Sequence, residues 1–116
     1  MRKIEMQMLQ AIRNKQHFKS ANTEVVPTVF EHGDRRIDRI NVYLHGNPIA
    51  QIHPDCVDIC DCGWQTTTTK SRLNVILREL CGAGIYQKNH TWYGIAIEED
   101  DWEIDKNSRH CFVRGN

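Results

Sequence analysis

Residues 63–82 read GWQTTTTKSRLNVILRELCG and contain the strongest helix signal in this chain of 116 residues. Their apolar residues recur three and four positions apart, which places them on one face of a helix. They are Leu73, Ile76, Leu77 and Leu80. A threonine of the run 66–69 can accept the free N–H groups of a first helical turn, and Gly82 suits the left-handed conformation that ends many helices. The stretch therefore predicts a central helix within residues 68–81, regular from about 69 to 81.

A second, shorter helix is predicted upstream, over residues 2–15. Ile4, Met8, Ala11 and Ile12 form an apolar stripe at helical period, and polar residues occupy the other side. We expect this helix to lay its stripe on a sheet, and we expect residues 18–22 to form a linker after it.

The region 23–62 predicts strands separated by turns. Residues 23–30 are rich in β-branched side chains, and Pro27 within them indicates an edge strand or a bulge. Residues 31–36 predict a charged turn. Residues 37–44 alternate in polarity, so they predict a half-buried strand that returns through a turn at 45–48 as a second strand, 48–52. Residues 56–62 alternate again.

Downstream of the central helix, the chain predicts hairpins within residues 85–114. Residues 85–88 and 91–97 flank Asn89-His90, and residues 102–104 and 110–114 predict a last short pair. Strands without long helical crossovers pair mostly antiparallel. We therefore predict a single α+β domain over residues 1–116. It has an antiparallel sheet of about five to seven short strands, the main helix packed on one face and a short N-terminal helix. Trp64 and Trp92 are both expected in the core, and an exposed stacking platform is left open as the alternative.

Composition argues against several classes of protein. Fifteen basic and fifteen acidic residues cancel, whereas a general polyanion binder is usually strongly basic. No apolar run has the roughly 20 residues that a membrane span needs, and the N-terminus lacks the apolar core of a signal peptide. We therefore expect a cytoplasmic protein without a membrane partner. Its five cysteines are expected to be free thiols in a reducing compartment.

The sequence motif GWxTxTTxSRLNxxL, which spans Gly63 to Leu77, resembles a motif in small accessory proteins of tailed phages. The N-terminal helix, Asn22-Thr23, the segment 44–50 and the late hairpin 86–93 resemble the same group, so the resemblance extends over most of the chain. It departs from the group at 56–62 and after Ile97. It implies a phage origin and a host-cell setting, and it transfers no catalytic residues.

The start of the central helix is the first candidate site. Free N–H groups and the positive end of the helix dipole favour anions, and basic side chains lie nearby in sequence. A phosphate of nucleic acid or an acidic partner would suit such a site; equally, the threonines can simply cap the helix. The predicted binding surface consists of Thr66, Thr68, Thr69, Lys70, Arg72, Asn74 and Arg78.

A metal site is the second candidate, and it is disfavoured. Zinc takes four nitrogen or sulfur ligands in a tetrahedron, and the potential ligands here are His53, Cys56, Cys60 and Cys62. On an extended strand, Cys56 and Cys62 would lie roughly 20 Å apart, too far for one ion. We therefore expect no metal or other cofactor.

The acidic block Glu98, Glu99, Asp100 and Asp101 is the third candidate. Such blocks are usually solvated loops, but an acidic surface can also occupy a basic cleft on another protein.

Catalytic motifs are missing from the sequence, which contains no nucleophile elbow, phosphate-binding Walker loop or His-Glu-x-x-His. We therefore expect a non-enzymatic bacteriophage accessory protein that binds a host protein or complex in the host cytoplasm, blocking a host enzyme or a defence complex. One alternative is a nucleic-acid-binding module that uses residues 66–74. The other is a small zinc-stabilised domain. Oligomeric state is left open.

Overall fold

The computed structural model of the chain describes residues 1–115. In chain order its elements are α1 (Lys3–Asn14), β1 (Phe18–Ser20), β2 (Thr23–His32), β3 (Arg35–Leu44), β4 (Asn47–Ile52), β5 (Cys56–Cys60), α2 (Thr67–Cys81), β6 (Gly84–Lys88), β7 (Thr91–Ile95), β8 (Trp102–Glu103) and β9 (Arg109–Val113).

The strands form two antiparallel sheets. The larger has six strands in the order β1-β2-β3-β4-β5-β9, and the smaller has three in the order β6-β7-β8. The predicted α+β class, the antiparallel pairing and the short N-terminal helix are confirmed. The described residues contain nine strands in two sheets, where a single sheet was expected.

The central helix α2 begins and ends where the sequence indicates. The Thr66 hydroxyl accepts the N–H of Thr69 at 3.1 Å, and Gly82 ends the helix with φ at 60°. Leu73, Ile76 and Leu77 are fully buried, so the apolar stripe is the inner face of α2.

Both helices pack on the same face of the six-stranded sheet. The core lies between them, and strand residues that point toward the helices are buried, such as Val25, Val42 and Val57. The alternate residues point to the opposite face and are half-buried or exposed, such as Asp58 and Cys111.

Three local predictions are corrected. Residues 31–36 are not a turn, because β2 and β3 pair as far as His32 and Arg35, so that the turn is only Gly33-Asp34. Phe18–Ser20 was expected as a linker and pairs with β2 as an edge strand.

The third correction concerns the last two strands, which do not pair with each other. β8 joins β7, where Gly94 faces the Trp102 ring at a position that has no room for a side chain. β9 instead joins β5 and buries Phe112 opposite Val57. The rings of Trp102 and Phe112 pack against each other with their centroids 5.2 Å apart, so the two sheets are in contact through these strands.

Within residues 1–115, no helix has the length and apolar character needed to cross a membrane.

Candidate functional site

Arg72 was predicted to lie on an exposed binding surface, and this prediction is wrong. Its guanidinium donates to the Glu5 carboxylate at 2.8 Å, and both side chains are almost fully buried, at 4% and 2% exposed. The Ser71 hydroxyl donates to the same carboxylate oxygen at 2.6 Å. Arg72 also donates to the Thr23 hydroxyl at 3.1 Å and to the Asn22 amide oxygen at 3.4 Å. Arg72 therefore joins α2 to α1 and to the start of β2.

Asn74 is also used inside the fold. Its amide oxygen accepts the Ile85 N–H at 2.6 Å, and its amide nitrogen donates to the Ile85 carbonyl at 3.0 Å. This pair of bonds attaches β6 to α2. The expected polar surface of Lys70, Arg72, Asn74 and Arg78 is therefore not one continuous exposed patch.

The remaining residues of that predicted surface have separate positions. Thr69 is buried and its hydroxyl lies 2.9 Å from that of Thr66, the capping residue. Lys70 donates to Gln87 at 3.2 Å, and Arg78 is exposed. A binding role for these residues stays a prediction.

A cleft of about 570 Å³ adjoins the start of α2. Trp64 lines it and is 62% exposed, so the expectation that Trp64 belongs to the core is wrong, whereas Trp92 is buried as expected. Thr66, Thr68 and His45 also line the cleft. Because the backbone of Trp64 follows a turn fixed by Asp61, whose carboxylate accepts the Gly63 N–H at 2.7 Å, the ring projects away from the core.

The acidic block lies in an exposed loop between β7 and β8. All four of its residues are exposed. Asp101 accepts the Tyr86 hydroxyl at 2.6 Å, and this bond raises the pKa of Tyr86. Glu98, Glu99 and Asp100 remain available to solvent or to a partner.

The four disfavoured metal-ligand candidates do not form one cluster. The Cys60 sulfur accepts the Cys62 N–H at 3.2 Å, and the Cys62 thiol donates to the Pro48 carbonyl at 3.3 Å. Cys62 lies beyond the end of β5 with φ at 55°, so the chain turns away from the strand there. Cys56 instead clusters with Asp58 and Cys111, and the His53 Nε2 atom lies 3.4 Å from the Asp58 carboxylate.

Burial governs the chemistry of several free thiols. It raises the pKa of Cys56 to about 12, with further contributions from the Cys111 thiol and the Asp58 charge. Burial also raises the pKa of Cys62 and of Cys81 to about 11 each. In the metal-free chain these thiols are therefore protonated at neutral pH.

The outer half of the β2–β3 hairpin is a surface that the sequence reading missed. β1 pairs only with residues 23–25 and β4 only with residues 40–44, so residues 26–32 pair only with β3 and residues 35–39 pair only with β2. We call residues 26–39 the arm. Three large apolar side chains on it are more than half exposed: Val29 at 53%, Phe30 at 60% and Ile37 at 51%.

A signal for the arm was present in the sequence. Residues 23–30 and 37–44 each predict a strand of eight residues, longer than the neighbouring strand predicted at 48–52, which indicates a hairpin that extends beyond its neighbours. The charges of residues 31–36 masked it, because charged residues are typical of turns.

The comparisons with known proteins agree with a phage origin. A family model, described as Kyanoviridae Gp96 protein, matches residues 1–115. No curated protein and no solved structure is significantly similar to the chain. The match covers nearly the whole sequence, and the chain therefore belongs to the Kyanoviridae Gp96 protein family of phage proteins.

Proposed function

We propose that this chain is a non-enzymatic phage accessory protein that binds a host protein inside the infected cell and thereby blocks a host enzyme or defence complex. The docking element in this proposal is the arm, residues 26–39. The observation that supports it is the exposure of Val29, Phe30 and Ile37 on two strands that extend beyond their neighbours.

An isolated two-stranded hairpin is at best marginally stable in water. The outer arm has no third strand along residues 27–31 or 35–39, and it leaves apolar side chains uncovered on both of its faces. Phe30 and Ile37 face each other across the strands, and Val29 points to the other side. Both edges are therefore open to an added strand of a partner, which is a common mode of peptide and protein recognition.

The charges of the arm suit a protein partner. The arm contains three arginines and three acidic residues, so its formal charge is zero. These residues are Glu31, Asp34, Arg35, Arg36, Asp38 and Arg39. Arginine and aromatic side chains are enriched at protein interfaces and dominate their binding energy. A surface built mainly to hold phosphates would instead carry a net positive charge.

The nucleic-acid alternative has less support. Of the basic and amide side chains proposed for it, Arg72 and Asn74 are engaged inside the fold. Lys70 and Arg78 remain, together with Lys88 at the end of β6, and three cations are few for phosphate-driven binding.

The experiment compares arm variants with a matched surface control in host cells. Tagged wild-type chain, the double variant Phe30→Ser/Ile37→Thr and the control Met6→Gln are expressed, crosslinked and recovered. Met6 is 58% exposed on α1, so its substitution removes a similar apolar surface elsewhere. Recovered proteins are quantified by mass spectrometry, and the enriched partner is then purified for affinity measurements.

We expect wild type and Met6→Gln to recover the same partner, and the arm variant to bind it at least about 30-fold more weakly, as for interface hot spots. Recovery of no specific partner would refute the proposed function. If the arm variant binds the partner with the same affinity as wild type, the arm is not the docking element. Sedimentation velocity is run on all three proteins, and a wild-type dimer that the arm variant abolishes would show that the arm binds a second copy instead.

A further inference from the structure

Potential metal ligands converge on the face of the six-stranded sheet that lies opposite the helices. Cys56 and Asp58 are two residues apart on β5, so strand alternation places both on that face. Cys111 lies directly opposite Asp58 across the β5–β9 pair. One ligand atom from each of the three residues lies within 4.8 Å of the other two.

The β4–β5 hairpin offers a fourth ligand, His53, which lies beside Asp58 and outside the cluster of three. His53 and Cys56 flank its turn, and the His53 N–H donates to the Cys56 carbonyl at 2.9 Å. The His53 Nε2 atom lies 3.4 Å from an Asp58 carboxylate oxygen. In a tetrahedral zinc site with bonds of about 2.1 Å to nitrogen and oxygen, two such ligand atoms are separated by about 3.4 Å. The observed spacing therefore already matches one edge of the tetrahedron.

Backbone contacts fix the strands that carry these ligands. The Arg114 N–H donates to the Asp55 carbonyl at 3.0 Å, and the Arg114 guanidinium donates to the His53 carbonyl at 2.9 Å. The end of β9 is thus attached to the β4–β5 turn. The backbone segments that carry Cys111 and His53 are consequently held beside each other before any ion binds, which lowers the cost of assembling a site.

We propose that His53, Cys56, Asp58 and Cys111 bind one zinc ion. Two thiolates with an imidazole and a carboxylate are donors that zinc accepts, whereas calcium and magnesium prefer oxygen ligands alone. Four protein ligands complete a tetrahedron, so the site is structural and leaves no open position for substrate. The ion joins β4, β5 and β9 at the edge where the chain returns to the sheet after α2 and the smaller sheet.

This ligand set differs from the one that the sequence suggested. Cys60 and Cys62 are replaced by Asp58 and Cys111, and the difference provides matched variants. Cys62→Ser serves as the control, because a serine hydroxyl can still donate to the Pro48 carbonyl that the Cys62 thiol contacts. Cys111→Ser changes an exposed side chain, so the fold is expected to survive it.

The test uses the full chain, metal-free and kept reduced with a phosphine. Cobalt(II) is titrated while absorption is recorded, zinc is then added in competition, and native mass spectrometry counts the bound ions. We expect one ion per chain, tetrahedral cobalt bands in the visible and a thiolate-to-cobalt band in the near ultraviolet. Cys56→Ser and Cys111→Ser should each lower zinc affinity at least about 100-fold, and His53→Gln at least about tenfold. Cys62→Ser should leave it unchanged.

Zinc should also raise the melting temperature of wild type and of Cys62→Ser, but not of Cys111→Ser, because only a folded site binds the ion. Circular dichroism verifies that every variant is folded. The proposal would be overturned if native mass spectrometry at micromolar zinc detected the metal-free mass alone. Unchanged zinc affinity in Cys111→Ser, or loss of zinc binding in Cys62→Ser, would also overturn it. Unchanged affinity in His53→Gln would overturn the four-ligand site.

Discussion

The buried pair Glu5–Arg72 provides the most specific prediction about stability. Replacing Arg72 with methionine removes the guanidinium that contacts Glu5, Thr23 and Asn22. The Glu5 carboxylate then stays buried beside the Ser71 hydroxyl without a cation. Removing one partner of a buried ion pair costs about 3–5 kcal/mol, because an uncompensated charge remains in a medium of low dielectric constant.

The matched double variant Glu5→Leu/Arg72→Met removes both charges and keeps apolar volume. Replacing a buried ion pair by well-packed apolar residues is often neutral or stabilising. We therefore expect the double variant to lie within about 2 kcal/mol of wild type, far above the stability of Arg72→Met. Arg78→Met is the control on the exposed side of the same helix, with an expected change within about 0.5 kcal/mol.

Urea denaturation followed by circular dichroism measures these free energies. The result that would refute the reasoning is a loss below about 1 kcal/mol for Arg72→Met. Glu5→Leu is measured alone for the same comparison. A double variant whose loss equals the sum of the losses in Arg72→Met and Glu5→Leu would refute the reasoning as well, because the two side chains would then act independently.

The same pair predicts how stability depends on pH. Burial acts to raise the pKa of Glu5, but the hydrogen bonds from Ser71 and Arg72 outweigh it, so the pKa lies below its ordinary value of 4.5. A carboxyl group with a lowered folded pKa contributes stability above the unfolded value, and this contribution disappears as the pH falls through the folded value. Below pH 4.5 wild type should therefore lose stability that the double variant does not lose. Parallel acid titrations of the two proteins would contradict this.

Three further changes test individual contacts. Asn74→Leu removes both bonds to the backbone of β6 and should cost about 1–3 kcal/mol in urea denaturation, since buried backbone groups lose their partners; an unchanged midpoint would contradict the assigned role. Gly94→Ala should cost about 1–3 kcal/mol, because the new methyl group would meet the Trp102 ring, and adding Trp102→Leu should recover part of that loss. If Trp102→Leu gives no recovery, the clash is not the cause. Asp101→Asn should return the raised pKa of Tyr86 toward its ordinary value of 10.0 in an ultraviolet titration, and an unmoved pKa would exclude the contact.

Local sequence signals were sufficient to predict those elements whose first and last residues are set by residues adjacent in the sequence. The threonine cap and Gly82 define α2 within a few positions of the chain, so the bounds of this helix followed from the sequence. β8 and β9 are different, because each pairs with a strand from another part of the chain. Which sheet each joins depends on pairing with a distant strand, and no local pattern contains that information.

The cysteine cluster was beyond sequence reasoning for the same reason. His53, Cys56 and Asp58 are local to one hairpin, but Cys111 reaches them only through the pairing of β5 with β9. Spacing along the chain suggested Cys60 and Cys62 instead, because they are near in sequence. The distance between side chains on paired strands decides whether they can bind one ion, and it is nearly independent of their separation in the sequence.

Charged residues within the apolar stripes of the two helices indicate buried contacts, although the sequence analysis assigned them to the surface. Arg72 lies three residues after Thr69 and four before Ile76, so it belongs to the buried face of α2. Glu5 lies three residues before Met8 and four before Leu9, so it belongs to the buried face of α1. A lone charge on an apolar stripe is costly to bury, whereas opposite charges on two helices that pack on one sheet can compensate each other. Two such interruptions of opposite sign therefore predict a buried pair, and this pair fixes how α1 packs against α2.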